Sequence, residues 1–242
     1  MKIIQISDTH ICQNPSTRIF GLVNPEDTFL DILELVKQEN PDLVLATGDL
    51  SQDGSIESYQ RLNSHLASLN CDVYTIYGNH DNPNNFDQWL LGNNVKKEPV
   101  LATAIGTFIF LSSYKKGDDS GYIDAPNLEH LVSSVNKYDN CIPVIHHHFI
   151  PLNTRIDAYI IENSKELIQR LDMYKAKIKF CITGHVHNFY HSQVDNISVY
   201  SGLSTCIQFA KTKELMFENK CPGITIYNFY NNHFEVIEKT LP

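Results

Sequence analysis

The sequence predicts an α/β protein made of two sheets packed face to face, with helices on the outside. Three observations predict it. Short apolar runs alternate with amphipathic stretches of helical period through the first eighty residues. After residue 188 the pattern changes to strand, turn, strand. The chain has 242 residues, 42% of them hydrophobic, which is enough for one sizeable core, and no repeat, linker or low-complexity stretch divides it. A single domain spanning 1–242 is therefore expected.

The elements follow in order. "KIIQI" (2–6) reads as a buried strand. "NPEDTFLDILELVKQEN" reads as a helix: Asn24 caps it, Pro25 suits its first position, and Glu26 and Asp27 favour its positive end. Phe29, Ile32, Leu33 and Val36 give it one apolar face. "DLVLAT" (42–47) is the next strand, "SIESYQRLNSHLASL" a second amphipathic helix and "DVYTIY" (72–77) a third strand. Strand–helix–strand alternation implies parallel strands with crossover helices. Strands are expected at 107–113, 142–148 and 178–183, and helices near 126–137 and 162–174. "FYHSQV", "ISVYS", "GITIYNFY" and "HFEVIEKT" complete the pattern with hairpins.

Composition excludes some functions. The formal net charge is −9, and no basic tract longer than Lys96-Lys97 or Lys115-Lys116 is present, so a nucleic-acid partner is not expected. Six cysteines are scattered without a CxxC pair, several inside apolar runs, as reduced core thiols of a cytoplasmic protein would be. Neither a signal peptide nor a membrane-spanning segment is expected.

The polar residues that follow the strands are not turn chemistry alone. The first strand runs into "SDTH" (Asp8, His10), the second into "TGDL" (Asp49) and the third into "GNHD" (Asn79, His80, Asp81). "IPVI" runs into His146, His147 and His148, and "KFCIT" into "GHVH" (His185, His187). Turns need Gly and Asn but have no use for this many histidines. In open α/β sheets the C-terminal strand ends converge on one crevice. Carboxylates, imidazoles and an amide meeting there make a metal site, and the donors exceed what one ion needs. His10 lies two residues from Asp8 and His187 two from His185, a spacing that puts each pair on one face of a strand.

With these motifs the chain resembles the calcineurin-like metallophosphoesterase superfamily, whose signature is D-x-H, G-D, G-N-H-D, a later histidine and G-H-x-H. "ISDTHI", "GDLSQDG", "YGNHDNP", "HHHFIPL", "GHVHN" and "GLSTCIQFA" further resemble its class III cyclic-nucleotide phosphodiesterases, over residues 2–237. The resemblance implies a four-layer α/β/β/α sandwich of two mixed sheets with flanking helices. It implies two metal ions, with Fe or Mn favoured over Zn, Co or Ni. One ion would be held by Asp8, His10, Asp49 and His187, the other by Asp49, Asn79, His146 and His185, with Asp49 bridging. His147 is the alternative to His146, because Phe149 stands where relatives often carry proline.

The implied activity is hydrolysis of 3',5'-cyclic AMP to 5'-AMP by a metal-bridging hydroxide. The alternatives are another diester, such as a 2',3'-cyclic nucleotide or a glycerophosphodiester, or a non-catalytic scaffold. Asn79 and His80 are the expected catalytic residues, His80 protonating the leaving oxygen, and both would touch substrate together with His187. Asp81 is expected to orient a histidine or to stabilise the turn. The loop 11–24 should lie over the site, with Arg18 either meeting the nucleotide or solvated. The partner is a small cyclic nucleotide, and the chain is expected as a monomer or homodimer without a membrane.

Overall fold

The computed structural model describes residues 1–231 and 233–242. Two six-stranded sheets are present among them. The first runs β12 (Phe234–Thr240), β11 (Gly223–Phe229), β1 (Lys2–Ile6), β2 (Leu43–Ala46), β3 (Asp72–Thr75), β4 (Val95–Lys96). The second runs β5 (Val100–Thr103), β6 (Gly106–Leu111), β7 (Cys141–Ile145), β8 (Cys181–Thr183), β10 (Ile197–Ser201), β9 (Tyr190–Val194). β1 to β4 are parallel and β11 and β12 antiparallel; in the other sheet β6, β7, β8 and β10 are parallel and the edge strands β5 and β9 antiparallel. Both sheets are thus mixed, as expected.

Pleat alternation explains the layers. In β1, Ile4 and Ile6 face α1 (Pro25–Glu39) and α2 (Ile56–Leu66), packing with Phe29, Ile32 and Leu62. Ile3 points the other way, into an apolar layer between the sheets with Phe108, Val144, Phe180 and Tyr227. The far face of the second sheet buries Ile109, Leu111 and Ile145 under α4 (Ala125–Lys137) and α5 (Ser164–Met173), through Leu131, Val135 and Leu167. The order is therefore helix, sheet, sheet, helix. Gln5 is the polar exception in the middle layer, and it is satisfied: its amide donates to Thr47 Oγ1 and to the Thr183 carbonyl, both at 2.8 Å, and its oxygen accepts from Tyr227 at 2.8 Å. It joins the sheets just below the strand ends that carry the polar motifs.

The first helix starts at the cap expected for it, and two others start at caps of the same kind. Asn24 accepts from the Glu26 amide, Ser55 from Ser58 and Asp124 from Asn127. The strands are shorter than their apolar runs. β3 stops at Thr75, β7 at Ile145, and β8 begins only at Cys181. The chain leaves the ladder to turn into the site, so the last apolar residues, such as Ile76, are buried but unpaired. β4, β5 and the short α3 (Pro83–Asn85) with its following π turn (Phe86–Leu90) were not anticipated. β4 is two residues long and β5 is a half-exposed edge strand, so neither carries a period to read.

Candidate metal centre

Six strand ends open on the same edge, followed by residues 7–10, 47–51, 76–81, 146–148, 184–187 and 202–208. Asp8, His10, Asp49, His185 and His187 all lie beyond their strands with φ of 54°, 51°, 50°, 66° and 48°. This corrects the expectation that the Asp8/His10 and His185/His187 pairs share a strand face. Each pair converges because both members are left-handed, which turns alternate side chains inward. Such a backbone costs an L-residue roughly 1–2 kcal/mol, and five instances in one crevice mark a strained, over-determined site.

The side chains form two groups that meet at Asp49. In the first, His187 Nε2 lies 3.0 Å from His10 Nε2 and 3.6 Å from Asp8 Oδ1. In the second, His146 Nε2 lies 3.2 Å from Asn79 Oδ1, and the His185 ring is 5.2 Å away. Asp49 Oδ2 is 3.3 Å from His146 Nε2 and 3.9 Å from His10 Nε2. All the Asp and His members of these groups are buried.

The rings are aimed by backbone carbonyls. His146 Nδ1 is 2.7 Å from the Thr47 oxygen and His187 Nδ1 is 2.9 Å from the Ile207 oxygen, so both present Nε2 to the crevice. His187 is also backed by Phe209, whose ring stacks on it at 4.1 Å and 6°. Ser204 Oγ donates to the Asp8 carbonyl at 3.0 Å. The "STCIQF" segment, noted in the sequence without a role, is thus the brace of the first group. The carbonyls themselves were unreadable, because a supporting carbonyl has no residue signature.

Burial sets the charge states. It raises the Asp8 carboxyl to about 7, against the opposing pull of His146. It would raise Asp49 too, but His146 beside it holds that carboxyl well below the usual range. Burial also holds His10 and His185 well below the usual histidine value, and takes His187 to about 4. Neutral imidazoles are the form that ligates a metal. Three buried atoms here, Asp8 Oδ2, His10 Nδ1 and His185 Nε2, have no hydrogen-bond partner. Each such atom costs about 1–3 kcal/mol unless something binds it. The donor set of carboxylate, imidazole and amide oxygen fits metal ions, and Asp8–His10–His187 and Asp8–Asp49–His146 each bring their donor atoms within 4.8 Å of one another.

The remaining residues sort as follows. His147 stands near His146 and His185, but its Nδ1 faces Ser113 Oγ at 2.7 Å and its Nε2 the Asp119 carbonyl at 3.1 Å, so both nitrogens are engaged. His80 is half-buried; its amide donates to Asp49 Oδ1 at 2.9 Å, and its Nδ1 faces the Gln52 carbonyl at 3.2 Å. Asp81 orients no histidine. It accepts from Gly78 N at 2.8 Å, Ser51 N at 3.1 Å, Leu50 N at 3.3 Å and Tyr59 OH at 2.9 Å, tying the loops after β2 and β3 together. Of its two expected roles, only turn stabilisation is seen. Gly78 is required for space rather than for a turn, since a Cβ there would strike the Asp49 carboxylate and amide. Gly48 combines a φ of +95° with close approach to the His146 ring. Arg18 is exposed and donates to the Leu22 carbonyl at 2.9 Å, an ordinary loop arginine. The loop does reach the rim: Phe20 packs on Phe217 and Phe209.

A family model described as calcineurin-like phosphoesterase matches residues 1–189. A 3',5'-cyclic-nucleotide phosphodiesterase of Nostoc sp. is 31% identical over 95% of this chain and 88% of its own. The 3',5'-cyclic adenosine monophosphate phosphodiesterase CpdA of Haemophilus influenzae is 31% identical over 86% of this chain and 78% of its own. The solved structure of a dimetal phosphatase from Danio rerio shares the fold at 12% identity, with a TM-score of 0.75, covering 99% of this chain and 96% of that one.

Proposed function

The chain belongs to the calcineurin-like phosphoesterase family, and from that premise we propose that it is a dimetal phosphodiesterase that opens 3',5'-cyclic AMP to 5'-AMP. The observation that carries this reading is the convergence of Asp8, His10, Asp49, Asn79, His146, His185 and His187 with unpartnered buried donor atoms among them. The names of the Nostoc and Haemophilus relatives support the substrate. A scaffold that had abandoned chemistry would have no reason to keep these buried atoms uncompensated.

Asp8, His10, His187 and Asp49 would hold one ion and Asp49, Asn79, His146 and His185 the other. His146 is preferred to His147 because its Nε2 meets only other members of the donor set, Asn79 and Asp49, whereas both His147 nitrogens face Ser113 and the Asp119 carbonyl. The donor set of imidazole, carboxylate and amide oxygen is compatible with Fe or Mn. Two such ions would supply Lewis acidity toward the phosphate oxygens and hydroxide at neutral pH by lowering the pKa of bound water.

The chain's own residues do the rest. Asn79 contributes a neutral oxygen, which adds no further negative charge opposite an anionic diester. Its neighbour His80 lies against the Gln52 carbonyl and within reach of His10 and Asp49, at the edge of the donor set, and its role is to deliver a proton to the leaving oxygen. His187 and the Asn79 amide would contact the bound phosphate. Donors come from both sheets, so residues 1–242 act as one unit. No helix among the described residues is long and apolar enough to cross a membrane. A cytoplasmic enzyme acting on a small nucleotide fits the six free thiols and the net charge of −9.

The test is product chromatography with a panel of diesters, with metal content measured on the same sample. 5'-AMP from cyclic AMP at two ions per chain is the expected result. Preferred cleavage of a 2',3'-cyclic nucleotide or a glycerophosphodiester would displace the substrate assignment, and no more than one ion at saturating Mn or Fe would displace the dimetal assignment.

A further inference from the structure

Beside the metal centre lies a cavity of about 450 Å³ between the loop 154–159 and the segment 209–216. That volume falls in the range of about 300–1,000 Å³ typical of small-molecule sites. Two of its lining residues belong to the centre's own framework. Val186 separates His185 from His187, and Phe209 carries the ring stacked on His187. The cavity is therefore one ring's thickness from the first group of donors.

Its walls are held in place. Asp157 accepts from the backbone of Leu152 at 2.9 Å and Asn153 at 2.7 Å and meets His148 Nε2 at 3.2 Å; the His148 ring stacks on His185 at 5.6 Å and 21°. Across the gap, Arg155 donates to the Lys213 carbonyl at 2.7 Å and the Glu214 carbonyl at 3.4 Å, clamping the two walls together. A pocket so tied is largely pre-formed, which lowers the ordering cost of binding.

The lining is mostly apolar and aromatic, with Ile156, Tyr159, Tyr190, Phe209, Leu215 and Met216; Thr154 and Arg155 are its polar members, and it includes no carboxylate. A flat neutral group suits such walls. A cationic headgroup does not, because the Lys211 ammonium already sits 4.9 Å over the Tyr190 ring.

Resting on the phosphodiesterase reading above, we propose that this cavity receives the nucleobase of the cyclic nucleotide, stacked among Tyr159, Tyr190 and Phe209, while the cyclic phosphate lies at the metal donors. In a 3',5'-cyclic nucleotide the base is one ribose from phosphorus, and here the cavity is one aromatic ring from His187. The pocket, not the metal centre, then selects a nucleotide over other diesters.

The experiment compares cyclic AMP with the abasic ribose 3',5'-cyclic phosphate, on wild type, Ala158→Trp and Tyr159→Ala, with bis(p-nitrophenyl) phosphate and metal content as controls. Ala158 is exposed at the cavity wall, and an indole there is expected to obstruct the pocket from its solvent side. Stacking of a base is worth about 1–3 kcal/mol, so wild type should favour cyclic AMP about tenfold or more in kcat/KM. Ala158→Trp should erase that preference through KM while sparing the abasic substrate, and Tyr159→Ala should reduce it. Should Ala158→Trp fail to fold or load metal, Tyr159→Ala alone decides. Equal rates on the two cyclic phosphates by wild type, or variants that slow both equally, would overturn the pocket and leave the cyclic-phosphate activity standing. Wild type cleaving only the aryl diester would overturn the cyclic-nucleotide reading and the pocket with it. Competition by glycerophosphocholine that Ala158→Trp abolishes would give the pocket to a cationic headgroup instead.

Discussion

The two donor groups that meet at Asp49 are built differently. The Asp8–His10–His187 group is braced from a distance in sequence: Ile207 aims His187, Phe209 backs it and Ser204 holds the Asp8 backbone. The Asn79–His146–His185 group is braced by close approach. Gly48 admits the His146 ring, Gly78 admits Asp49, and Asp81 ties the two loops. The first group has Asp8 as well as a share in Asp49, and Asp8 also accepts from the His185 amide at 3.1 Å; the second adds the neutral oxygen of Asn79. Under the dimetal reading the first ion sits in the more negative site and is held harder. The second keeps more net positive charge toward an anionic substrate.

The largest effect tests the shared element. Asp49→Ala removes the one carboxylate common to both groups and leaves His146 and His10 facing each other without it. Expected outcomes are loss of both ions by elemental analysis and loss of diesterase activity to background. Retention of one full equivalent of metal would mean that the groups are independent and that Asp49 serves only one.

The next effect separates the two consecutive residues of the second group. Asn79→Ala should lose one ion and keep the other. His80→Ala should keep both ions yet lower kcat on cyclic AMP by about 10²–10⁴, the range for a positioned acid or base. The ribose 3'-oxygen leaves as a basic alkoxide and needs a proton, whereas p-nitrophenolate does not. Bis(p-nitrophenyl) phosphate should therefore be spared in His80→Ala. Equal losses on both substrates would place His80 on the phosphate itself, and metal loss in His80→Ala matching that of Asn79→Ala would make it a ligand.

The same contrast governs what could be read in advance. Helices were legible because caps and apolar faces are local: Asn24 and the Phe29–Ile32–Leu33–Val36 stripe each act within a few residues. The donors were legible because a histidine or carboxylate after an apolar run has little structural use. How the donors converge was not legible. Left-handed φ at Asp8, His10, Asp49, His185 and His187 is uncommon even for Asp and His, which adopt it more readily than most residues, and only the assembled crevice fixes it at these five positions. The Ile207 and Thr47 carbonyls act on partners 20 and 99 positions away, and leave no trace in side-chain identity. The base pocket is formed by loops with no periodic pattern.

The smallest effect concerns the tie beneath the second group. The Tyr59 hydroxyl donates to Asp81 Oδ1 at 2.9 Å and accepts from Asn82 N at 2.9 Å; Tyr59 and Asp81 are buried and Asn82 is at the surface. Tyr59→Phe keeps the ring against Phe86 and removes only these two bonds. Leaving a buried partner unpaired costs about 1–3 kcal/mol. For a chain of this size each kcal/mol lowers Tm by about 2–4 °C, so the melting temperature at fixed metal loading should fall by a few degrees. Asp81 also receives the Gly78 amide, and Gly78 packs on Asp49. Slackening there should weaken retention of the second ion against a chelator while the first is unaffected, because Ile207, Phe209 and Ser204 lie on the other side of Asp49. An unchanged Tm would show that the three backbone amides hold Asp81 without help. Equal weakening of both ions would show that the two groups are braced as one, and the contrast between them would fail.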